Sequence, residues 1–140
     1  MSAERTRRRL LAGTFLFGSI GTAAELVLLE HTEGLWQNVP LVLLGIGCAA
    51  FLVVAFGSGG RAIRIFQTAM ALFVASGVVG VWLHYRGNVE FELELHPGTG
   101  GLGLFWEALG GATPALAPGA MILLGAVGVA YTYRVNEVEV

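Results

Sequence analysis

The stretch VPLVLLGIGCAAFLVVAF, residues 39–56, decides the fold: it carries no charged side chain from end to end and stops at the breaker Gly57, Ser58, Gly59, Gly60. A helix needs roughly 20 residues to cross a hydrocarbon core of about 30 Å, so a run of this length and composition reads as a membrane span. Three further runs are of the same kind. Residues 10–29 follow the basic cluster Arg5, Arg7, Arg8, Arg9 and end at Glu30 and His31. Residues 63–83 follow Arg61 and close on Trp82, His84, Tyr85 and Arg86, and residues 115–133 follow Pro114, carry Pro118 in their first turn and end at Arg134.

Composition agrees with that reading. The chain has 140 residues, 55% of them hydrophobic, and a mean hydropathy of +0.71, and a soluble fold of this size has too little interior to hide so much apolar surface. Four spans occupy about 80 residues and leave no room for a separate soluble domain. The expected fold is an all-α integral membrane protein: one membrane domain over residues 1–140, built as a four-transmembrane-helix bundle, with an outer loop over residues 85–113.

Charge gives the expected orientation. The charged residues are all Arg and Glu, and the net charge of −2 hides a dipole between the two ends of the spans. Seven of the eight arginines lie in the N-terminal segment, the turn near Ser58 and the C-terminal segment, against Arg86 alone on the opposite side. The positive-inside rule then places both termini in the cytoplasm and the protein in the inner membrane. Thr6, Arg7, Arg8, Arg9, Leu10, Leu11 resembles a twin-arginine export signal, and Gly21, Thr22, Ala23, Ala24 resembles a cleavage site. The apolar run nevertheless continues through Leu29, so the segment is expected to stay as a span.

All three histidines, all three tryptophans and seven of the ten glutamates fall toward the other, outer side. Within the loop there, Val89, Phe91, Leu93 and Leu95 alternate with Glu90, Glu92, Glu94 and His96, which is strand periodicity and predicts a short extended segment. Residues 102–109, apolar around Trp106 and Glu107, predict a short helix lying at the lipid headgroups.

Glu25 sits near the outer end of the first span, where an ionised carboxylate is costly. Thr14, Gly18, Gly21, Thr22 and Glu25 share one helical stripe of mostly small residues, which predicts that Glu25 points into the bundle; the competing reading is a carboxylate that snorkels to the headgroups. Phe73, Gly77, Gly80 and His84 share a face of the third span, so Glu25 and His84 are expected to approach each other, as a structural pair, a proton relay or metal ligands. Glu25, Glu30, His31 and His84 suit a transition metal by ligand type, without the spacing of an established metal motif. A haem held by His31 and His84 is disfavoured, because both stand at span ends. Glu90, Glu92, Glu94, His96 and Trp106 are the candidate partner-binding residues, the carboxylates about 6.6 Å apart along a strand and otherwise explained as a solvated face. Cys48 has no disulfide partner in the chain and reads as a buried thiol. The glycines read as helix-packing positions, Trp36, Trp82, Trp106 and Tyr85 as an outer aromatic belt, and Tyr131 and Tyr133 as its inner counterpart.

The function these features favour is a non-catalytic subunit or assembly partner of a larger membrane complex, recognised through its outer face. The expected partners are the bilayer and a membrane protein or a second copy, with no nucleic acid. The alternatives are a metal- or cofactor-binding membrane protein, and a small proton-coupled transporter for which Thr14, Gln67, Thr68 and Ser76 supply few polar groups. A hydrolase lacks a nucleophile, base and orienting acid at usable spacing. The arginine count makes the orientation testable: in intact cells an impermeant thiol reagent should modify a cysteine placed at Thr99 and spare one placed at Ser58, and the reverse pattern would invert the topology.

Overall fold

A computed structural model describes residues 3–57 and 59–133. Ser58, Arg134, Glu137 and Glu139, which enter the turn and the charge count, lie outside the described residues. The chain forms five helices: α1 (Ala3–Leu28), α2 (Leu35–Phe56), α3 (Gly60–Leu95), α4 (Gly101–Leu109) and α5 (Gly119–Thr132). Helices α1, α2 and α3 are long and apolar enough to cross a membrane, and α5 is a shorter apolar helix. Residues 115–118, expected within the fourth span, instead form tight turns, with Ala117 N–H donating to Pro114 O and Gly119 N–H to Leu116 O. Pro118 then starts α5 with φ −63°, the value its ring imposes and a helix accepts in its first turn.

The extended segment expected over Val89 to His96 is not there: Val89 to Leu95 continue α3, whose 36 residues make it about 54 Å long at 1.5 Å per residue. Alternation failed as a guide because the segment is attached to a helix already nucleated, and adding residues to a helix costs far less than starting one. Glu and Leu are strong helix formers, and at helical spacing the charges find partners. Arg86 pairs with Glu90 at 2.8 Å and His96 lies 3.5 Å from Glu92, each at i,i+4. Pro97 ends the helix by pushing His96 out of the helical region, to φ −132° and ψ 74°. With the strand goes the even spacing of carboxylates expected along it.

Helix α3 is the central element, packed against α2, α4 and α5, while α1 bridges α2 and α5. The core is aromatic. Phe15 of α1 is fully buried and lies 5.4 Å from Phe51, 5.5 Å from Phe66 and 6.2 Å from Phe73 between ring centroids, and Phe51 lies 5.1 Å from Tyr131. Leu44, Met70, Met121 and Leu124 fill around them. Some of the glycines let the helices close on this core: the Phe73 ring lies over Gly47, Met70 packs against Gly128, and the Met70 carbonyl and Val74 press on Gly125, whereas Gly21 and Gly45, also expected at packing positions, have open space around them.

At Gly77 an added Cβ would stand 2.9 Å from both the amide nitrogen of Ile122 and the carbonyl oxygen of Pro118. Those are backbone atoms that cannot swing aside, so Gly77→Ala is expected to destabilise the protein by about 1 to 3 kcal/mol. Gly45, with open space around its Cβ position, is the control, where Ala should be neutral or gain up to about 1 kcal/mol of helix propensity. Unfolding of the two variants in detergent micelles measures the contrast.

Candidate functional site

The residues singled out for chemistry gather at the end of the helices opposite the N-terminal arginines. Helix α1 ends there in a Schellman arrangement, Glu30 N–H donating to Val27 O and His31 N–H to Leu26 O. The residue that must adopt the left-handed conformation is Glu30, at φ +52°, a position where glycine is usual. The loop beyond is held from α2: Gln37 Oε1 accepts from Glu33 N–H at 2.8 Å, and Asn38 Nδ2 donates to the carbonyls of Thr32 and Gly34 at 3.0 Å each. His31 is thereby fixed, half-buried, with its ring centroid 6.0 Å from that of His84.

His84 comes from the seam that packs α3 on the start of α5, where Gly77 meets Ile122 and Gly80 meets Pro118. Its Nδ1 is 3.2 Å from the Pro114 carbonyl oxygen. A carbonyl only accepts, so as a hydrogen bond this contact needs the proton on Nδ1, and it fixes the plane of the ring as carbonyls behind ligating histidines do. The pair thus joins the α1–α2 loop, α3 and the α4–α5 connection.

Among the described residues Glu25 makes no side-chain hydrogen bond or ion pair with either histidine. It is exposed on α1, as are Thr14 and Gly21 of its supposed inward stripe. The stripe was set one residue off: Phe15 and Ser19 are the buried positions, with Leu11, Leu16, Ala23 and Leu26 packed beside them, because seating the Phe15 ring in the aromatic core outweighs close approach through small residues. Among the described residues no three His, Cys, Asp or Glu side chains are placed to hold one metal ion. Of Glu25, Glu30, His31 and His84, the structure brings together the two histidines.

The five candidate partner-binding residues are likewise redistributed by the helix. Glu90 and Glu94 share an exposed face, while Glu92 turns toward the side of Asn88 and retains 16% side-chain exposure beside His96. Trp106 stands exposed on α4, its ring against that of Phe105, which in turn meets Tyr85 at 5.9 Å.

Sequence reasoning missed Asn88. It is 2% exposed, and all four of its hydrogen-bonding positions are used. Nδ2 donates to the carbonyls of Ala108 at 2.8 Å and Thr113 at 2.7 Å, and Oδ1 accepts from Thr113 N–H at 3.1 Å and Thr113 Oγ1 at 2.8 Å. Gly111 packs flat against the amide, where a Cβ would come within 3.0 Å. The signal was the seam itself: Phe73, Gly77, Gly80 and His84 at helical spacing continue to Asn88 once the helix is allowed past Tyr85.

No known protein family, characterised protein or solved structure shows detectable similarity to the chain.

Asn88→Ala would strand the carbonyls of Ala108 and Thr113 and the Thr113 amide, a loss of about 1 to 3 kcal/mol. Hydrogen exchange should show amides 101–113 losing protection while those around Phe66, Met70 and Phe73 keep theirs. Equal loss in both regions would mean that Asn88 supports the whole fold and not the α4 segment alone.

Proposed function

We propose that the chain is a four-span inner-membrane protein, both termini cytoplasmic, that acts as a non-catalytic subunit or assembly partner of a larger membrane complex and is recognised through the cap formed by the end of α3 and α4. The observation that carries this reading is the length of α3. Its uncharged stretch ends at Leu83, and residues 84–95 run on for about 18 Å with Arg86, Glu90, Glu92 and Glu94 along them. A helix end of that length and charge belongs outside the hydrocarbon.

Asn88 fixes α4 to this projecting end, so α4 is held as a rigid surface and not as a loose loop. On it Leu102 is 77% and Trp106 67% exposed, with the exposed Glu107 next to Trp106 in the chain. Exposed aromatic and aliphatic anchors on a fixed support, with a charge among them, are the composition of a recognition surface. The fourth span rests on α5 with the turns at residues 114–118; its 14 helical residues reach about 21 Å, and thinning of the local bilayer or the adjoining turns make up the difference.

Photo-crosslinking tests the proposal. A photoreactive residue at Trp106 in native membranes should yield one discrete crosslinked protein product, whereas one at the exposed Leu123 of α5 should yield lipid adducts. Lipid adducts alone at Trp106 would make α4 a headgroup-lying helix and remove the partner. A stoichiometric transition metal in the protein purified without chelator, lost in His31→Ala, would move the reading to a metal-binding protein built on His31 and His84.

A further inference from the structure

At the other end of the helices, α3 together with Ile46 of α2 lines an open groove of about 550 Å³, along Arg61, Arg64, Ile65, Thr68 and Leu72. We propose that it binds one anionic phospholipid, the phosphate against Arg61 and Arg64 and an acyl chain along Ile65, Leu72 and Ile46.

Three observations converge on that ligand. The first is register: residues 61, 64, 65, 68 and 72 follow the i, i+3, i+4, i+7, i+11 rule and so form one stripe of α3, cationic at its start and aliphatic at its end. The second is charge. Among the described residues the ion pairs of arginine are Arg7 with Glu4 and Arg86 with Glu90, whereas Arg64 spends its Nε on the Gly60 carbonyl of its own helix at 3.4 Å. Both guanidinium groups therefore retain donors that no described carboxylate takes up, and the planar guanidinium fork matches a phosphate.

The third is depth. From Arg61 to Leu72 is about 16 Å along the helix, close to half of a hydrocarbon core of about 30 Å, so a headgroup at the arginines puts its chain through one leaflet. Thr68 adds a hydroxyl midway, within reach of the ester region. Basic pockets between membrane helices are recognised sites for anionic headgroups, and a zwitterionic lipid offers the same chains with an ammonium that two arginines repel. The inference needs α2 and α3 to cross a bilayer and is independent of any protein partner at the opposite end.

Native mass spectrometry of the full chain, exchanged from detergent into mixed micelles of dioleoyl-phosphatidylglycerol and dioleoyl-phosphatidylcholine, tests it. Wild-type protein should retain phosphatidylglycerol in preference to phosphatidylcholine, and Arg61→Gln with Arg64→Gln should weaken that retention roughly 30-fold, the equivalent of about 1 kcal/mol for each arginine. Ile46→Trp, which fills the groove and leaves both arginines, should also abolish retention. Arg5→Gln with Arg9→Gln should leave it intact. The proposal fails if the Arg5 and Arg9 changes reduce retention as much as the Arg61 and Arg64 changes do. It fails too if Ile46→Trp retains the lipid fully, or if inorganic phosphate at matched ionic strength displaces it, since that would mark an ion site with no use for the groove.

Discussion

Everything in this protein hangs on how closely α3 and α5 approach. In lipid there is no hydrophobic force to drive one apolar helix onto another, so helices associate through van der Waals contact and a few hydrogen bonds. Gly77, Gly125 and Gly128 remove the side chains that would hold the two backbones apart, and Met70, Val74, Ile122 and Pro118 occupy the space released. Because α5, with 14 residues, is much shorter than α1, α2 and α3, it has few turns over which to gather contacts. Close approach compensates for the missing length. The same approach brings Tyr131 to Phe51 and Phe66, so the aromatic core around Phe15 depends on it as well.

The two ends are closed by different chemistry. At the arginine end the Arg8 guanidinium lies 5.0 Å above the Tyr131 ring and reaches its hydroxyl at 3.4 Å, while Gln67 Nε2 donates to Thr132 Oγ1 at 3.2 Å. Arg7 approaches the Ala130 carbonyl at 3.5 Å, where the last turn of α5 presents free carbonyls and the negative end of its dipole. At the histidine end the closure is made by His84 on Pro114 and by Asn88 on Ala108 and Thr113. Cations stand at one end, a neutral amide and imidazoles at the other. That division sets a cationic closure at one end of the helices against a closure made through backbone carbonyls at the other.

Much of this was legible from hydropathy, and the parts that were not share a cause. Uncharged runs located α1, α2 and the membrane part of α3, because nothing competes with length and apolarity over some 18 residues. Glycine spacing located the seam of α3, because Gly77 and Gly80 recur at helical period beside Phe73. The errors came where a short pattern was read without its neighbours. Residues 89–96 alternate, yet Arg86 to Glu90 and Glu92 to His96 are equally good i,i+4 pairs, and a helix entering from Leu83 decides between the two readings. The stripe through Glu25 was assembled from small residues although Phe15, one position away, had far more surface to bury. The fourth span was drawn through Ala115, whereas two prolines four residues apart favour turns before the helix can start.

Asn88 shows why the candidate site was only half readable. A side-chain amide that satisfies four backbone and side-chain groups at once does so through the positions of Ala108 and Thr113, 20 and 25 residues away, and no local pattern encodes that distance. His31 and His84 are a similar case: each was visible as a ligand-type residue at a span end, but their meeting depends on the left-handed Glu30 and on the packing of Gly80 against Pro118. In both instances the sequence supplies the polar group and the glycine seam supplies its partner. The cap at the end of α3 is therefore placed by helix packing in the apolar core, and within it Asn88 holds α4 to α3.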